Sequence, residues 1–267
     1  MRSKLTWMLP LLMLGACSEL HDTASLPDPG LYGETFSKAS RADVRTLIVV
    51  LNGDGLPGER ADERQFAETA SETIPESAAV ALLRPGYADN EGHRSPGERG
   101  VDTGDNYTEE RLSAISDAIS AYRQRYPKAN VIVVGDSGGA AIAANLAGVR
   151  PELIDGVVLV GCPCTLPEWR AYMERQAPDK PWEQPVASLD PLKTAGGISP
   201  TLRAAIIVGA DDKVTPVQFS RSYAEALTLR GIATDYRILP GRGHAILNDP
   251  EVVAATGRLA ASLPEGS

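Results

Sequence analysis

The chain has 267 residues, 43% of them hydrophobic, so it is long and apolar enough to bury a sizeable core. Its 26 basic and 35 acidic residues give a net charge of −9, which argues against nucleic acid as a partner and predicts an acidic, soluble surface. No internal repeat or second compositional regime divides the sequence. We therefore expect one main domain.

The first residues have the pattern of an export signal. Arg2 and Lys4 precede the apolar stretch 5–14, which is too short to span a bilayer. The stretch ends in Leu-Gly-Ala-Cys at 14–17, which resembles the bacterial lipobox. In that motif the peptide is cut before the cysteine, and the cysteine is acylated. The alternative is a plain signal peptide whose cleavage site happens to lie beside a cysteine.

The lipobox resemblance implies how the chain is divided and where it is located. Residues 1–16 are the signal peptide, and Cys17 carries the lipid that anchors the protein to the membrane. Residues 17–42 are the lipidated cysteine and a polar tether, which leaves 43–267 as the folded domain. The protein is then expected in the bacterial cell envelope. In a Gram-negative organism, Ser18 favours the outer membrane, with the domain facing the periplasm.

Apolar runs alternate with helix-like segments along the rest of the chain. Strands are predicted at 45–51, 77–83, 131–134, 154–160, 204–208 and 233–239. Helices are predicted near 61–73, 109–126, 216–230 and 249–262, and in the alanine-rich stretch after Gly139. Strands separated by helices predict the α/β class, with a mostly parallel sheet covered by helices on both faces.

Residues 161–200 interrupt this alternation with a proline-rich stretch, which predicts a cap insertion at about 162–200. Four large side chains in it either line a substrate pocket or pack the insertion onto the core: Trp169, Tyr172, Met173 and Trp182. Cys162 and Cys164 flank one proline at its start. We expect structural thiols or a local disulfide rather than a redox role, and two thiolates are too few for a zinc site.

The segment 131–144 is the most informative part of the chain. A β-branched run leads into Gly-Asp-Ser-Gly-Gly at 135–139, and an alanine-rich helix follows. This pattern places Ser137 on a sharp, crowded turn between strand and helix, where glycines avoid collisions and a serine can act as a nucleophile. A phosphate-binding or purely structural turn is the alternative, and partner residues elsewhere must decide.

A nucleophilic serine needs a histidine as general base and a carboxylate to orient that histidine. Asp211 and Asp212 follow the apolar run 204–208, and His244 comes soon after the strand predicted at 233–239. The other two histidines, His21 and His93, lie in the N-terminal tail and in a polar loop. His244 is therefore the candidate base, and either aspartate satisfies the chemistry.

The order of these residues resembles the α/β-hydrolase superfamily, whose triad runs serine, acid, histidine. Trypsin-like proteases share the letters Gly-Asp-Ser-Gly-Gly, but their serine comes last, so that interpretation is rejected. The resemblance implies an α/β-hydrolase domain with Ser137, Asp212 and His244 as the triad. It favours Asp212 over Asp211 because the family pattern Gly-x-x-Asp-x-x-x-Pro matches 209–216 in register.

An oxyanion hole is the remaining requirement of this chemistry. The N–H of Gly138 is the first expected donor. The second should come from the loop after the first core strand, where Asp54 is the first choice and Gly53 the next. Many relatives have His-Gly where this chain has Asn52-Gly53, so the resemblance does not fix this donor.

The sequence thus predicts an exported serine hydrolase that cleaves carboxylic esters through an acyl-enzyme, acts on a small acyl substrate, and needs neither metal nor organic cofactor. Cleavage of amides by a serine aminopeptidase-like enzyme is the alternative, since only the pocket separates the two. A non-catalytic surface protein that uses the fold for binding is a third hypothesis.

The substrate itself is not predicted by the sequence. Three arginines, at 84, 94 and 99, either bind an acidic group or pair with neighbouring acids at the surface.

Overall fold

The computed structural model describes residues 28–55, 58 and 61–264. The predicted signal peptide, Cys17 and the first part of the tether lie outside the described residues. The strands are β1 (Gly33–Ser37), β2 (Thr46–Leu51), β3 (Ser77–Leu82), β4 (Asn130–Asp136), β5 (Gly156–Val160), β6 (Arg203–Gly209) and β7 (Ala233–Leu239). The helices are α1 (Glu63–Thr73), α2 (Glu109–Arg125), α3 (Gly138–Val149), α4 (Leu166–Gln176), α5 (Pro191–Thr194), α6 (Val217–Leu229) and α7 (Pro250–Ser262). Within these residues, no helix combines the length and the apolar character needed to cross a membrane.

The strands form one seven-stranded sheet in the order β1-β3-β2-β4-β5-β6-β7. Strands β2 to β7 run parallel to their neighbours, while β1 pairs antiparallel with β3. The predicted α/β class with a mostly parallel sheet is confirmed. All the parallel strands end at the same edge, so the loops after β2, β4, β6 and β7 meet there.

Helices cover both faces of the sheet because its buried strands are apolar on both sides. In β2, Leu47 and Val49 contribute to one core, and Ile48 and Val50 contribute to the other. The first core includes apolar residues of α2, α3, α4 and α6, and the second includes residues of α1 and α7. The alternation along a single strand thus divides the helices into two layers.

The position of β1 corrects the predicted start of the folded domain. Residues 33–37 were expected in the tether 17–42, but they form an edge strand of the sheet, with Gly33 opposite Leu82. Leu31, just before this strand, is also buried in the core. The strand is half-exposed, so its apolar pattern is weak, and main-chain pairing with β3 holds it instead. The domain therefore begins before residue 43.

The segment between β5 and β6 contains α4 and α5 and lies over the first core. Trp169 and Trp182 are both buried, with their rings edge to face at 5.8 Å. Tyr172 and Met173 are partly buried against the same core. Of the two expectations for these side chains, packing of the insertion onto the core accounts for the tryptophans.

Candidate active site

Ser137 occupies the turn between β4 and α3 with φ 50° and ψ −114°, a backbone conformation rare for a residue with a side chain. The surrounding glycines are needed because space is short. A Cβ on Gly135 would collide with the backbone of Gly139, and a Cβ on Gly139 would collide with the Leu51 carbonyl. The sharp, crowded turn expected from the sequence is therefore present, and it presents the serine at the carboxyl edge of the sheet.

The structure brings the three predicted triad residues together. Ser137 Oγ lies 2.9 Å from His244 Nε2, and His244 Nδ1 lies 2.8 Å from Asp212 Oδ2. The Asp212 side chain is fully buried after β6, whereas His244 is about one-quarter exposed in the loop after β7. Asp211 is exposed, and its N–H donates to Arg242 O. Of the two candidate acids, the geometry selects Asp212.

Thr215 is a further member of this cluster, and the sequence did not predict it. Its hydroxyl donates to Asp212 Oδ2 at 2.7 Å and lies 3.1 Å from His244 Nδ1. The N–H groups of Thr215 and Val214 each donate to Asp212 Oδ1 at 2.8 Å. The sequence signal for this arrangement is Asp-x-x-Thr, the spacing of an aspartate that caps its own following turn. Both oxygens of the buried carboxylate are thereby satisfied.

The electrostatics of the cluster suit a base that accepts a proton. Burial alone would lower the pKa of His244, but the hydrogen bond and charge of Asp212, with the charges of Asp136 and Asp54, raise it above 6.5. Burial would raise the pKa of Asp212, but its bonds to His244 and Thr215 hold it below the usual value. The Asp212 carboxylate therefore stays ionised beside the imidazole at neutral pH.

Asp136, next to the nucleophile, is a buried carboxyl of a different kind. Its burial raises its pKa from 3.8 to about 6. Within the described structure its Oδ1 has no hydrogen-bond partner. A Cβ on Gly53 would lie only 2.7 Å from its Oδ2, so this carboxyl packs directly under the loop after β2.

The predicted oxyanion donors lie beside the serine. A Cβ on Gly53 would be 3.4 Å from Ser137 Cβ, and a Cβ on Gly138 would collide with the Asp54 carboxylate. Among the residues that the structure describes, neither the Gly138 N–H nor the Asp54 N–H donates a hydrogen bond. Backbone N–H groups without an acceptor beside a serine are the usual donors of an oxyanion hole.

The side chain of Asp54 is the centre of a buried network that the sequence did not predict. Its Oδ1 accepts from Arg84 Nη2 at 2.6 Å and from the Tyr87 hydroxyl at 2.7 Å. Its Oδ2 accepts from the Tyr107 hydroxyl at 2.8 Å. Burial would raise the pKa of Asp54, but the charge and hydrogen bond of Arg84 lower it. This carboxylate is therefore ionised and paired inside the protein.

The other two arginines of this region differ from Arg84, which is only 1% exposed. Arg99 pairs with Asp102 in the same loop, and Arg94 is exposed. His93, the alternative histidine, lies 2.8 Å from Asp89 and stacks on Tyr32. Pairing with acids, rather than a free cationic surface, accounts for Arg84 and Arg99.

The loop after β5 completes the surroundings of the histidine. Cys162 and Cys164 form a disulfide and are fully buried. A Cβ on the adjacent Gly161 would lie 3.1 Å from His244 Cε1, so this loop packs against the imidazole. In the described part of the chain, no group of three or more His, Cys, Asp or Glu side chains is arranged to hold a metal ion.

Comparison with known proteins identifies the family. The model of the alpha/beta hydrolase fold matches residues 49–205. Similar solved structures include esterase PE8, with 17% identity and a TM-score of 0.62 over 88% of this chain and 99% of that one. Another is the Pyrococcus furiosus esterase PF2001, with 14% identity and a TM-score of 0.62 over 86% of this chain and 84% of that one.

A third similar structure is the Pyrococcus horikoshii acylaminoacyl peptidase, with 14% identity and a TM-score of 0.59 over 86% of this chain and 38% of that one. At these identities the likeness is one of fold. No curated protein matches the chain. The family match covers more than half of the sequence, from within β2 into β6. The chain belongs to the α/β-hydrolase fold family.

Proposed function

We propose that the protein is a serine hydrolase that cleaves carboxylic esters through an acyl-enzyme. The observation that carries this proposal is the unbroken chain of contacts from Ser137 through His244 to Asp212, at 2.9 and 2.8 Å. These are the distances over which a histidine can take a proton from a serine while a carboxylate orients it.

The acylation half of the reaction uses each side chain once. Ser137 Oγ attacks the ester carbonyl as His244 Nε2 takes its proton, and the carbonyl oxygen becomes an oxyanion. The resulting imidazolium is stabilised by ionised Asp212. His244 then protonates the departing alkoxide, so the alcohol leaves and the acyl group stays on Ser137.

The oxyanion forms beside the N–H groups of Gly138 and Asp54. One such donor is worth roughly 10²- to 10³-fold in rate. Deacylation repeats the sequence with water: His244 removes a proton from the water, hydroxide attacks the acyl carbonyl, and the proton returns to Ser137 as the carboxylic acid departs. These side chains, the ester and water account for every bond and proton in the two steps.

Ester cleavage is preferred because two of the proteins with similar structures are named as esterases. The similarity to an acylaminoacyl peptidase favours amide cleavage as the second candidate. A graded panel of acyl-chain esters and aminoacyl amides separates them. Hydrolysis of amides alone would overturn the ester proposal.

A fluorophosphonate probe tests the activated serine directly. Wild-type protein should be labelled, and Ser137→Ala and His244→Ala should both abolish the labelling while circular dichroism shows them folded. Ser262→Ala is the matched control, since that serine lies at the end of α7. A folded wild type that resists the probe would favour the non-catalytic binding protein.

We also propose that the protein is exported and lipid-anchored at Cys17 in the bacterial envelope. The supporting pattern is the basic, apolar and lipobox-like order of residues 2–17. The Cys162–Cys164 disulfide is in keeping with an oxidising compartment. Labelled palmitate should enter the wild type, and Cys17→Ser should block incorporation and release the protein from membranes. Incorporation that survives this substitution would refute the assignment.

A further inference from the structure

One buried arginine, Arg84, donates hydrogen bonds to the loop that follows β2. We propose that Arg84 is the positioning residue of the oxyanion hole: it fixes the Gly53–Asp54 peptide so that the Asp54 N–H faces the developing oxyanion. This inference rests on the proposed function, because it assigns a role in the same reaction.

Three successive loop residues are attached to Arg84. Its backbone N–H donates to Asn52 Oδ1 at 3.0 Å, and its Nη2 donates to Gly53 O at 3.0 Å and to Asp54 Oδ1 at 2.6 Å. Asn52 Nδ2 also donates to Gly53 O at 2.9 Å. The Gly53 carbonyl thus accepts two hydrogen bonds, and the peptide that carries the Asp54 N–H has little freedom to rotate.

These bonds also make the Asp54 N–H a stronger donor. A peptide whose carbonyl accepts from a cation is polarised, and hydrogen bonds in series strengthen one another. The guanidinium is 1% exposed, so its charge acts through protein rather than water. A peptide dipole that is fixed and polarised in this way stabilises negative charge that forms only in the transition state.

Arg84 also neutralises a carboxylate that would otherwise oppose the reaction. The Asp54 carboxylate lies against Gly138, whose N–H is the other expected donor. An unpaired negative charge there would repel the oxyanion. Asp54 is instead bound by Arg84 and by the Tyr87 and Tyr107 hydroxyls.

Burying this arginine is costly, which argues that it does more than pack. Among the described residues, its Nε and Nη1 have no hydrogen-bond partner, although the guanidinium lies 4.1 Å from the Tyr87 ring centre. Buried donors without partners are rare and destabilising. The neighbouring Arg99, which pairs with Asp102 and is partly exposed, has no such cost.

The test compares Arg84→Met with the matched control Arg99→Met, using the ester hydrolysed by the full-length wild type. We expect Arg84→Met to lower kcat by about 10²-fold, the effect of losing one oxyanion donor, while KM changes less than threefold. The affinity for a trifluoromethyl ketone, which forms an oxyanion on the serine, should fall by a similar factor. Arg84→Lys, which keeps the charge, should recover part of both losses. Arg99→Met should leave kcat and ketone affinity unchanged.

The double variant Asp54→Asn with Arg84→Met covers the case in which the single variant does not fold, because it removes both members of the buried pair. It should still lose at least about tenfold in kcat and in ketone affinity, since the Gly53 carbonyl loses its guanidinium. A folded single or double variant within threefold of wild type in both measurements overturns the inference. Equal losses in Arg99→Met would also overturn it. A wild type that hydrolyses neither esters nor amides would refute the proposed function itself.

Discussion

Asp136 offers a quantitative test of the buried charges around the nucleophile. Its side chain is buried beside Ser137, and burial raises its pKa from 3.8 to about 6. The charges of Glu63 and Asp54 act in the same direction, whereas His244 and Arg84 oppose them. Asp136→Asn keeps the shape of the side chain and removes its ionisation.

The direction in which stability changes with pH follows from proton binding. The folded protein binds the Asp136 proton more tightly than the unfolded chain does, so this group's contribution to stability is complete below pH 3.8 and is lost as the pH rises through about 6. The difference between the two pKa values corresponds to about 3 kcal/mol in the free energy of unfolding. The Asp136→Asn variant has no ionisable group at this position, so it does not lose this stability as the pH rises. Its stability relative to wild type should therefore improve by up to about 3 kcal/mol between pH 4 and pH 8.

Urea unfolding at several pH values between 4 and 8 measures this change. Any fixed effect of the new amide cancels, because only the pH dependence of the difference is used. Asp211→Asn, an exposed carboxylate at the same edge of the sheet, reports the general effect of removing one charge. A difference between Asp136→Asn and wild type that stays constant with pH would refute the buried-charge reasoning.

Three further results are expected. Thr215→Val should lower kcat about 3- to 10-fold, which is the effect of losing one hydrogen bond to Asp212. Thr215→Ser keeps the hydroxyl and should restore kcat. An unchanged kcat in the valine variant would contradict a positioning role for the Thr215 hydroxyl. The pKa of His244 is raised above 6.5, and the histidine must be neutral to act as a base. We therefore expect kcat/KM to fall on acidification with a midpoint above pH 6.5, and a midpoint below pH 6.5 would contradict the proposed effect of Asp212 on His244. Reducing the Cys162–Cys164 disulfide with dithiothreitol should lower the free energy of urea unfolding by about 1–2 kcal/mol, since so short a ring constrains the unfolded chain little. A loss above about 4 kcal/mol would show a larger role.

Local chemistry made much of the site predictable. The glycines around Ser137 are required by a turn spanning five residues, so the motif reports the turn directly. Only three histidines exist, and the other two lie in a tail and a polar loop, which left His244. Asp212 needed the family spacing, because in the sequence Asp211 satisfies the same chemical requirement; in the structure Asp212 is buried and contacts His244, whereas Asp211 is exposed.

Three features of the structure could not be predicted from local sequence patterns: the edge strand β1, the role of Thr215 and the state of the two cysteines. β1 has too weak an apolar pattern to be distinguished from a tether, since pairing with β3 rather than side-chain burial holds it. The hydroxyl of Thr215 became visible only when Asp212 and His244 were placed beside it. Two cysteines separated by a single proline are compatible with free thiols and with a disulfide, so the sequence did not decide between them.

The sequence by itself determined the alternation of strands and helices, the sharp turn at Ser137, and which loops carry the candidate triad residues. These are properties of a few neighbouring residues, and periodicity and residue type report them. The tertiary structure alone decided that Arg84 pairs with Asp54, 30 positions away, and that the pair lies behind the expected oxyanion donor. That pairing depends on β2 lying between β3 and β4, so that the loops of three strands meet at one edge. Partners for buried charges follow from strand order in space, which no local pattern encodes.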